Sequence, residues 1–195
     1  MSRIYDFLDV LEKLRKDSIS LGIPAIDPED GMILASTAFS TRPREEVYID
    51  AGAGIGYSTL WIALGVEPSC SGKCRVIAIE YDEGLAERLE ANLTSLEDLF
   101  NSVSFEVIKG DALEVLSHHL ENTVGYVFVD VEKRDYPRML DILEEKLEPG
   151  GLALFHNAFV PRPPEEFFEK IGRRPWRSVI VPTKAGLALV RKEAV

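Results

Sequence analysis

The feature that most constrains how this chain can fold is a glycine-rich stretch, residues 50–56, with the sequence Asp-Ala-Gly-Ala-Gly-Ile-Gly. The apolar residues 47–49 before it predict a strand, and the apolar spacing of residues 58–64 after it predicts a helix. Glycines at a strand-to-helix turn allow positive φ angles and let a ligand approach the backbone, and the following helix presents unpaired N–H groups. The stretch therefore predicts an α/β fold with a ligand at this turn.

The alternation of strand and helix continues along the chain. Further strands are predicted over residues 75–79, 103–108, 126–129 and 152–155. Helices are predicted between them, over residues 85–93, 112–120 and 137–147, and Pro149, Gly150 and Gly151 predict a turn. Strands that alternate with helices are typical of βαβ units and a parallel sheet.

The two ends of the chain differ from this pattern. Residues 4–15 predict an amphipathic helix, and a second helix is predicted to start near Pro28 with Asp27 as its cap. At the other end, residues 178–181 and 187–190 predict two strands joined by five residues. Five residues are too few for a parallel crossover, so this pair is predicted to be an antiparallel hairpin.

Length and charge suggest a single cytoplasmic domain. The 195 residues fit one domain, divided into N-terminal helices over the active site (1–40), a cofactor-binding core (45–157) and the terminal hairpin (175–192). The net charge of −11 disfavours a nucleic-acid partner. The sequence has no apolar run of the roughly 18 to 20 residues that span a bilayer and does not begin like a signal peptide. We therefore expect a soluble protein with no membrane partner.

Cys70 and Cys74 are the two cysteines of the chain, separated by Ser-Gly-Lys. Three interpretations stay open: two surface thiols, a local disulfide, or half of a metal site. Both residues precede the second predicted strand, at the edge of the sheet opposite the ligand-binding edge. In none of the three cases do we expect a catalytic role.

Acidic residues follow three successive predicted strands: Asp50, Glu80 and Asp111. In a dinucleotide-binding fingerprint the third glycine comes one residue later than Gly56, and Asp50 would place a carboxylate near an anionic pyrophosphate. A cofactor that carries an ammonium and a sulfonium would be attracted instead. This pattern favours S-adenosylmethionine.

Several motifs carry a resemblance to a known family over roughly residues 20–192. They are residues 26–31 (Ile-Asp-Pro-Glu-Asp-Gly), 56–58 (Gly-Tyr-Ser), 110–112 (Gly-Asp-Ala), 128–133 (Phe-Val-Asp-Val-Glu-Lys), 149–151, 156–157 (His-Asn) and 182–187. The chain resembles the class I S-adenosylmethionine-dependent methyltransferases, within them the catechol and caffeoyl-CoA O-methyltransferase group. The resemblance implies a doubly wound, Rossmann-like sheet of seven strands, the last of them antiparallel.

The resemblance also implies where the cofactor lies. It assigns Ser58 to the methionine carboxylate, Glu80 to the ribose, and Asp111 with Ala112 to the adenine. The full set of predicted cofactor residues is Asp50, Gly52, Gly54, Gly56, Ser58, Glu80, Asp111, Ala112 and Asp130.

On the acceptor side, Lys133 matches the catalytic lysine of this group, and His156 and Asp130 are the other candidate catalytic residues. A divalent metal in this group is held by an aspartate and an Asp-Asn pair, which would be Asp130, His156 and Asn157 here. His156 is a departure, because magnesium prefers oxygen ligands. Two alternatives stay open: a softer metal at this site, or no metal, with His156 as a base.

The expected function is methyl transfer to a hydroxyl of a small, catechol-like acceptor. The alternatives are a methyltransferase for an amine, protein or RNA nitrogen, and a non-catalytic module that binds adenosylmethionine. A homodimer is the expected assembly if the chain is not a monomer.

Overall fold

The structure, a computed structural model, describes residues 2–119 and 124–194. Part of the predicted helix over 112–120, namely Leu120, and the ends of the predicted 1–195 domain lie outside the described residues. The strands are β1 (Val47–Ala51), β2 (Cys74–Glu80), β3 (Val103–Lys109), β4 (Val124–Val129), β5 (Leu147–Phe155), β6 (Trp176–Val181) and β7 (Leu187–Lys192). The α-helices are α1 (Ser2–Ser20), α2 (Pro28–Ser40), α3 (Tyr57–Val66), α4 (Glu83–Leu96), α5 (Ala112–Glu114), α6 (Tyr136–Lys146) and α7 (Glu165–Ile171).

The strands form one seven-stranded mixed sheet in the order β3-β2-β1-β4-β5-β7-β6. The five strands from β3 to β5 run parallel, and β7 pairs antiparallel with both β5 and β6. The predicted α/β class and the seven strands with the last antiparallel are confirmed. The predicted terminal hairpin is β6 and β7.

The direction in which the chain adds strands reverses at β1. The chain places β2 and then β3 on one side of β1, and then crosses to place β4 and β5 on the other side. In open α/β sheets such a reversal leaves a crevice at the carboxyl ends of the strands, and ligands bind there. The glycine-rich stretch begins at this end of β1, so the topology places it at the crevice.

Both faces of the sheet are covered by helices, and the side chains of β1 alternate between the two faces. Tyr48 packs in the layer that contains α2 and α3, whereas Ile49 and Ala51 pack in the layer that contains α6. Asp50, two residues after Tyr48, therefore points to the α3 face. This alternation of side chains along β1 places the Asp50 carboxylate beneath the start of α3.

Helix α2 is held closely against α3 and the sheet. A Cβ on Gly31 would collide with the Trp61 ring, and one on Gly65 would collide with the backbone carbonyl of Ala35. The buried hydroxyl of Tyr126 on β4 donates to the carbonyl of Leu34, at 3.1 Å. These contacts fix α2 along its length.

The predicted start of α2 at Pro28 with Asp27 at the N-cap position is confirmed, although the Asp27 side chain accepts no capping hydrogen bond. Two other segments differ from what the sequence predicts. Residues 149–151 lie inside β5, where the pairing with β4 shifts register, instead of forming a turn before it. Helix α7 occupies part of residues 158–175, for which the sequence pattern predicts no element.

Cys70 and Cys74 form a disulfide at the start of β2. The interpretation as a local disulfide is confirmed, and that of two free surface thiols is wrong. The pair lies at the amino end of β2, as predicted. Within the described ranges, none of the helices combines the length and apolar character that crossing a membrane requires.

Candidate active site

A cavity of about 1000 Å³ opens at the carboxyl ends of the parallel strands. Small-molecule sites typically enclose roughly 300–1,000 Å³, so this cavity can hold a cofactor together with a small acceptor. Nine of the predicted site residues line it: Gly52, Gly54, Glu80, Asp111, Ala112, Asp130, Lys133, His156 and Asn157.

Gly52 lies where the glycine-rich stretch passes the end of β4. Its φ is +95°, and a Cβ at this position would collide with the backbone carbonyl of Asp130. A residue with a side chain would therefore be strained and would push β4 away. Gly56 has a φ of +104° and occupies the N-cap position of α3. These two glycines let the backbone turn closely around the edge of the cavity.

Asp50 is fully buried behind this turn. Its Oδ2 accepts hydrogen bonds from the hydroxyls of Ser58 (2.7 Å) and Thr59 (2.6 Å). Its Oδ1 is buried and has no hydrogen-bond partner among the described residues. Burial raises the pKa of Asp50 to about 7, and the two hydroxyls only partly oppose it, while the charges of Asp130 and Glu80 add to the increase. Asp50 thus retains a buried acceptor oxygen that a cationic ligand would satisfy.

Ser58 lies beside a small cavity of about 40 Å³ that shares walls with the large one. Its hydroxyl donates to Asp50, so its predicted contact with a ligand carboxylate would use the backbone N–H.

Glu80 connects the end of β2 to the glycine-rich stretch. Its Oε2 accepts from the backbone N–H of Gly54 at 2.7 Å, and its Oε1 accepts from the N–H of Asp82 at 2.9 Å. The side chain is half-buried at the cavity wall. Glu80 therefore anchors the turn and also presents its carboxylate to the cavity.

Asp111 and Ala112 form the wall next to Glu80. Asp111 Oδ1 caps α5 by accepting from the N–H of Leu113, at 2.7 Å. Ala112 is buried and Asp111 is exposed at the rim. The capping role accounts for one oxygen of Asp111 and leaves the other available to a ligand.

The opposite wall carries a chain of charged groups that starts at Lys133. The Lys133 ammonium donates to Asp130 Oδ1 at 2.6 Å and to the carbonyl of Val131 at 3.0 Å. The second oxygen of Asp130, Oδ2, lies 3.2 Å from His156 Nδ1. Asp130 is therefore placed between two nitrogen groups.

Asp30 extends this chain on the other side of His156. Its Oδ2 lies 3.3 Å from His156 Nε2, and the carboxylate is completely buried on α2. The hydroxyl of Tyr136 donates to the backbone carbonyl of His156 at 2.8 Å and helps fix the end of β5. Both ring nitrogens of His156 thus face carboxylates.

The flanking carboxylates determine the charge of His156. Burial alone would lower the pKa of the imidazole, but Asp130 and Asp30 outweigh burial and raise the pKa to about 9. Burial alone would likewise raise the pKa of Asp130, but His156 and Lys133 hold it below its ordinary value. At neutral pH the imidazole is protonated and has no lone pair with which to act as a base.

The three residues predicted to hold a metal do not fit one. Both Asp130 oxygens already face nitrogen donors, and both His156 nitrogens face carboxylates. Asn157, in a left-handed conformation with φ +57°, donates its side-chain amide to the carbonyl of Val160 at 2.6 Å. The Lys133 ammonium already pairs with Asp130, at 2.6 Å.

Asp30 is the member of this chain of charged groups that sequence reasoning did not single out. It appeared only within the 26–31 motif, next to the capping residue Asp27. A usable signal was present, because Asp30 lies four and eight residues before Leu34 and Ala38, which form the buried apolar face of α2. A carboxylate on a buried helix face requires a partner.

The fold and the cavity agree with the comparison to known families. The Methyltransferase domain family matches residues 49–158, which run from β1 past the end of β5. This chain belongs to that family. The matched region contains all the predicted cofactor residues together with Asp130, Lys133, His156 and Asn157, whereas Asp30 lies before it.

Solved methyltransferases have the same fold. A methyltransferase from Geobacter sulfurreducens superposes with a TM-score of 0.78 at 23% identity, covering 98% of each chain. The O-methyltransferase from Bacillus cereus, solved in complex with SAH, gives a TM-score of 0.77 at 20% identity and covers 95% of this chain and 91% of its own.

Curated relatives are longer than this chain. A caffeoyl-CoA O-methyltransferase of Stellaria longipes is 27% identical over 157 residues, 75% of this chain and 60% of the relative. A Mycobacterium sp. (strain JLS) protein provisionally named an O-methyltransferase is 26% identical over 149 residues, 76% of this chain and 64% of the relative. The chain thus spans less than two thirds of the length of these relatives.

Proposed function

We propose that this protein transfers a methyl group from S-adenosylmethionine to a hydroxyl of a small acceptor. The observation that carries the proposal is a pair of carboxylates at the glycine-rich turn: Glu80 lines the cavity and anchors the turn from the neighbouring strand, and Asp50 keeps a buried, unpartnered oxygen behind the turn. Buried negative potential at this position favours a cationic cofactor over a pyrophosphate.

The residues around the turn suit the parts of this cofactor. Asp50, with Gly52 and Gly54, would hold the ammonium-bearing methionine end. Glu80 would accept from the ribose hydroxyls, and Asp111 with Ala112 would border the adenine. This assignment uses strand-end carboxylates as hydrogen-bond acceptors, which is their usual role in α/β nucleotide sites.

The acceptor side uses the cluster around Asp130. When bound, S-adenosylmethionine supplies a methyl group on a sulfonium, which becomes a neutral thioether once the acceptor oxygen has taken the methyl group. Asp130 holds the Lys133 ammonium at the acceptor side, and the acceptor hydroxyl loses its proton to solvent through the open side of the cavity as its oxygen takes the methyl group. The Lys133 ammonium stabilises the negative charge that develops on the oxygen.

The acceptor class is inferred from the residues that line the cavity and from the net charge of the chain. Val160, Pro161 and Lys184 also line the cavity, and this apolar and basic lining supports a small hydroxylated aromatic as the acceptor. The net charge of −11 argues against an RNA acceptor. A cytoplasmic location and a homodimer stay predictions.

A methyl-transfer screen tests the proposal. Purified protein is incubated with labelled S-adenosylmethionine and a panel of catechols, phenols, amines and unstructured RNA, and labelled products are separated by class. Transfer to hydroxylated aromatics, lost in Asp130→Ala, is the expected result. Transfer only to amines or RNA would refute the acceptor class, and cofactor binding without transfer to any of them would refute the catalytic assignment.

A further inference from the structure

Four side chains of alternating charge form a continuous row across the acceptor wall. The row is Asp30, His156, Asp130 and Lys133, with N···O separations of 3.3, 3.2 and 2.6 Å between successive members. Asp30 is fully buried, and the ring of His156 is nearly so. The row links α2 to the ends of β4 and β5.

The contacts of His156 favour a charged ring. A neutral imidazole has one nitrogen that donates and one that only accepts. Here Nε2 is within hydrogen-bond distance of Asp30, at 3.3 Å, whereas Nδ1 lies 3.2 Å from Asp130 Oδ2 in a close contact that is not aligned as a hydrogen bond. With both aspartates ionised, only the doubly protonated ring presents a proton rather than a lone pair to each carboxylate, which supports an imidazolium.

Asp30 is the residue that makes this arrangement necessary. Without its carboxylate, His156 would face Asp130 alone and could do so as a neutral ring with the proton on Nδ1. Asp30 is held in place because α2 packs on α3 through Gly31 and Trp61 and binds Tyr126 through Leu34. Its other oxygen, Oδ1, has no hydrogen-bond partner in the described part of the chain. A buried carboxylate is costly unless it is paired with a charge, and the imidazolium is the partner it faces.

We infer that Asp30 is a positioning residue for methyl transfer: it fixes His156 as an imidazolium beside Asp130, and this imidazolium together with the Lys133 ammonium takes the place of a divalent metal. The inference rests on the proposed function and specifies how the same site works. The cations of the site are then supplied by the chain itself.

This arrangement has a defined effect on the acceptor. The His156 imidazolium offsets part of the negative charge of Asp130. Asp130 therefore neutralises the Lys133 ammonium less completely, and the ammonium can better stabilise the negative charge that forms on the acceptor oxygen. His156 also orients Asp130 through its second oxygen. A divalent ion would have to displace Lys133 from Asp130, and Asn157 would be the remaining neutral ligand.

Manganese binding tests the absence of a metal site without depending on activity. Electron paramagnetic resonance of the protein titrated with Mn²⁺ should show no stoichiometric binding in the wild type at submillimolar Mn²⁺. His156→Asp removes the imidazolium and adds an oxygen ligand, so it should bind Mn²⁺ at least about tenfold more tightly. One Mn²⁺ bound by the wild type and released in Asp130→Asn would overturn the inference.

Nuclear magnetic resonance of the imidazole nitrogens tests the role of Asp30. At neutral pH the wild type should give an imidazolium signal for His156, with the exposed His118 as a reference in the same spectrum. In Asp30→Asn that signal should move to the neutral form or titrate at a lower pH, and kcat should fall by about 10-fold to 100-fold with unchanged S-adenosylmethionine affinity. Asp9→Asn, an exposed aspartate on α1, serves as the matched control. An unchanged His156 signal in Asp30→Asn would refute the positioning role.

Different results would refute the proposed methyl-transfer function and the inference about Asp30. Absence of S-adenosylmethionine binding refutes the proposed function, whereas both spectra still report on the charged row. Methyl transfer that persists in wild-type protein but stops on addition of a chelator, and returns with Mg²⁺ or Mn²⁺, refutes only the inference about the metal.

Discussion

Replacing Glu80 with alanine should weaken S-adenosylmethionine binding without unfolding the protein. The mutation removes the acceptor of two backbone hydrogen bonds, to Gly54 at 2.7 Å and Asp82 at 2.9 Å, and the proposed acceptor for the ribose hydroxyls. A lost hydrogen bond to a charged group costs about 1.5–3 kcal/mol when buried, and Glu80 is half-exposed, so we expect about 1–3 kcal/mol in binding. This corresponds to a roughly 5-fold to 150-fold higher Kd.

Calorimetric titration with S-adenosylmethionine measures this effect. Glu80→Gln keeps the size of the side chain and one acceptor oxygen, so its loss should be smaller than that of Glu80→Ala. Glu106→Ala is the control, because Glu106 lies on the neighbouring strand β3 and makes an exposed ion pair with Arg75. The ribose assignment would be refuted by unchanged affinity in Glu80→Ala, or by an equal loss in Glu106→Ala.

Three further predictions concern stability and the edges of the site. The pKa of His156 is about 9 in the folded protein against an ordinary 6.5, so the contribution of His156 to the free energy of unfolding is complete below about pH 6.5 and is lost as the pH rises through 9. Urea unfolding at a series of pH values should show this decline, and Asp30→Asn should flatten it. Replacing both Cys70 and Cys74 with serine should leave cofactor affinity intact, and a large loss by calorimetry would contradict their placement at the far edge of the sheet. Gly65→Ala should lower the free energy of unfolding by about 1–3 kcal/mol because its Cβ meets a carbonyl of α2, and unchanged denaturant midpoints would disprove that contact.

Sequence patterns could predict the cofactor half of the site because its determinants are local. The glycines of residues 50–56 adopt the positive φ angles that their type allows, and the parity of β1 places Asp50 toward α3. Glu80 and Asp111 follow their strands directly, and parallel strands bring such positions to one edge. Each step needs only neighbouring residues and the rule for parallel sheets.

The acceptor half depends on contacts that are distant in sequence. Asp30 and His156 are 126 positions apart, and only the packing of α2 brings them together. Helix α7 has seven residues, too few to show a periodic pattern, and it is stabilised by Phe167 against Tyr136 and Phe155, at ring-centroid distances of 5.4 and 5.0 Å. The charge of His156, and with it the choice between a base and a fixed cation, could not be predicted from its position after β5.

The central claim is that the turn beside Asp50 binds an adenosylmethionine-type cofactor. The most direct measurement is a calorimetric titration of the wild-type protein with S-adenosylhomocysteine and, separately, with NAD. We predict saturable binding of one S-adenosylhomocysteine per chain and none of NAD, with binding lost in Gly52→Ala, whose side chain would collide with the Asp130 carbonyl. Binding of NAD in preference to S-adenosylhomocysteine would contradict the account.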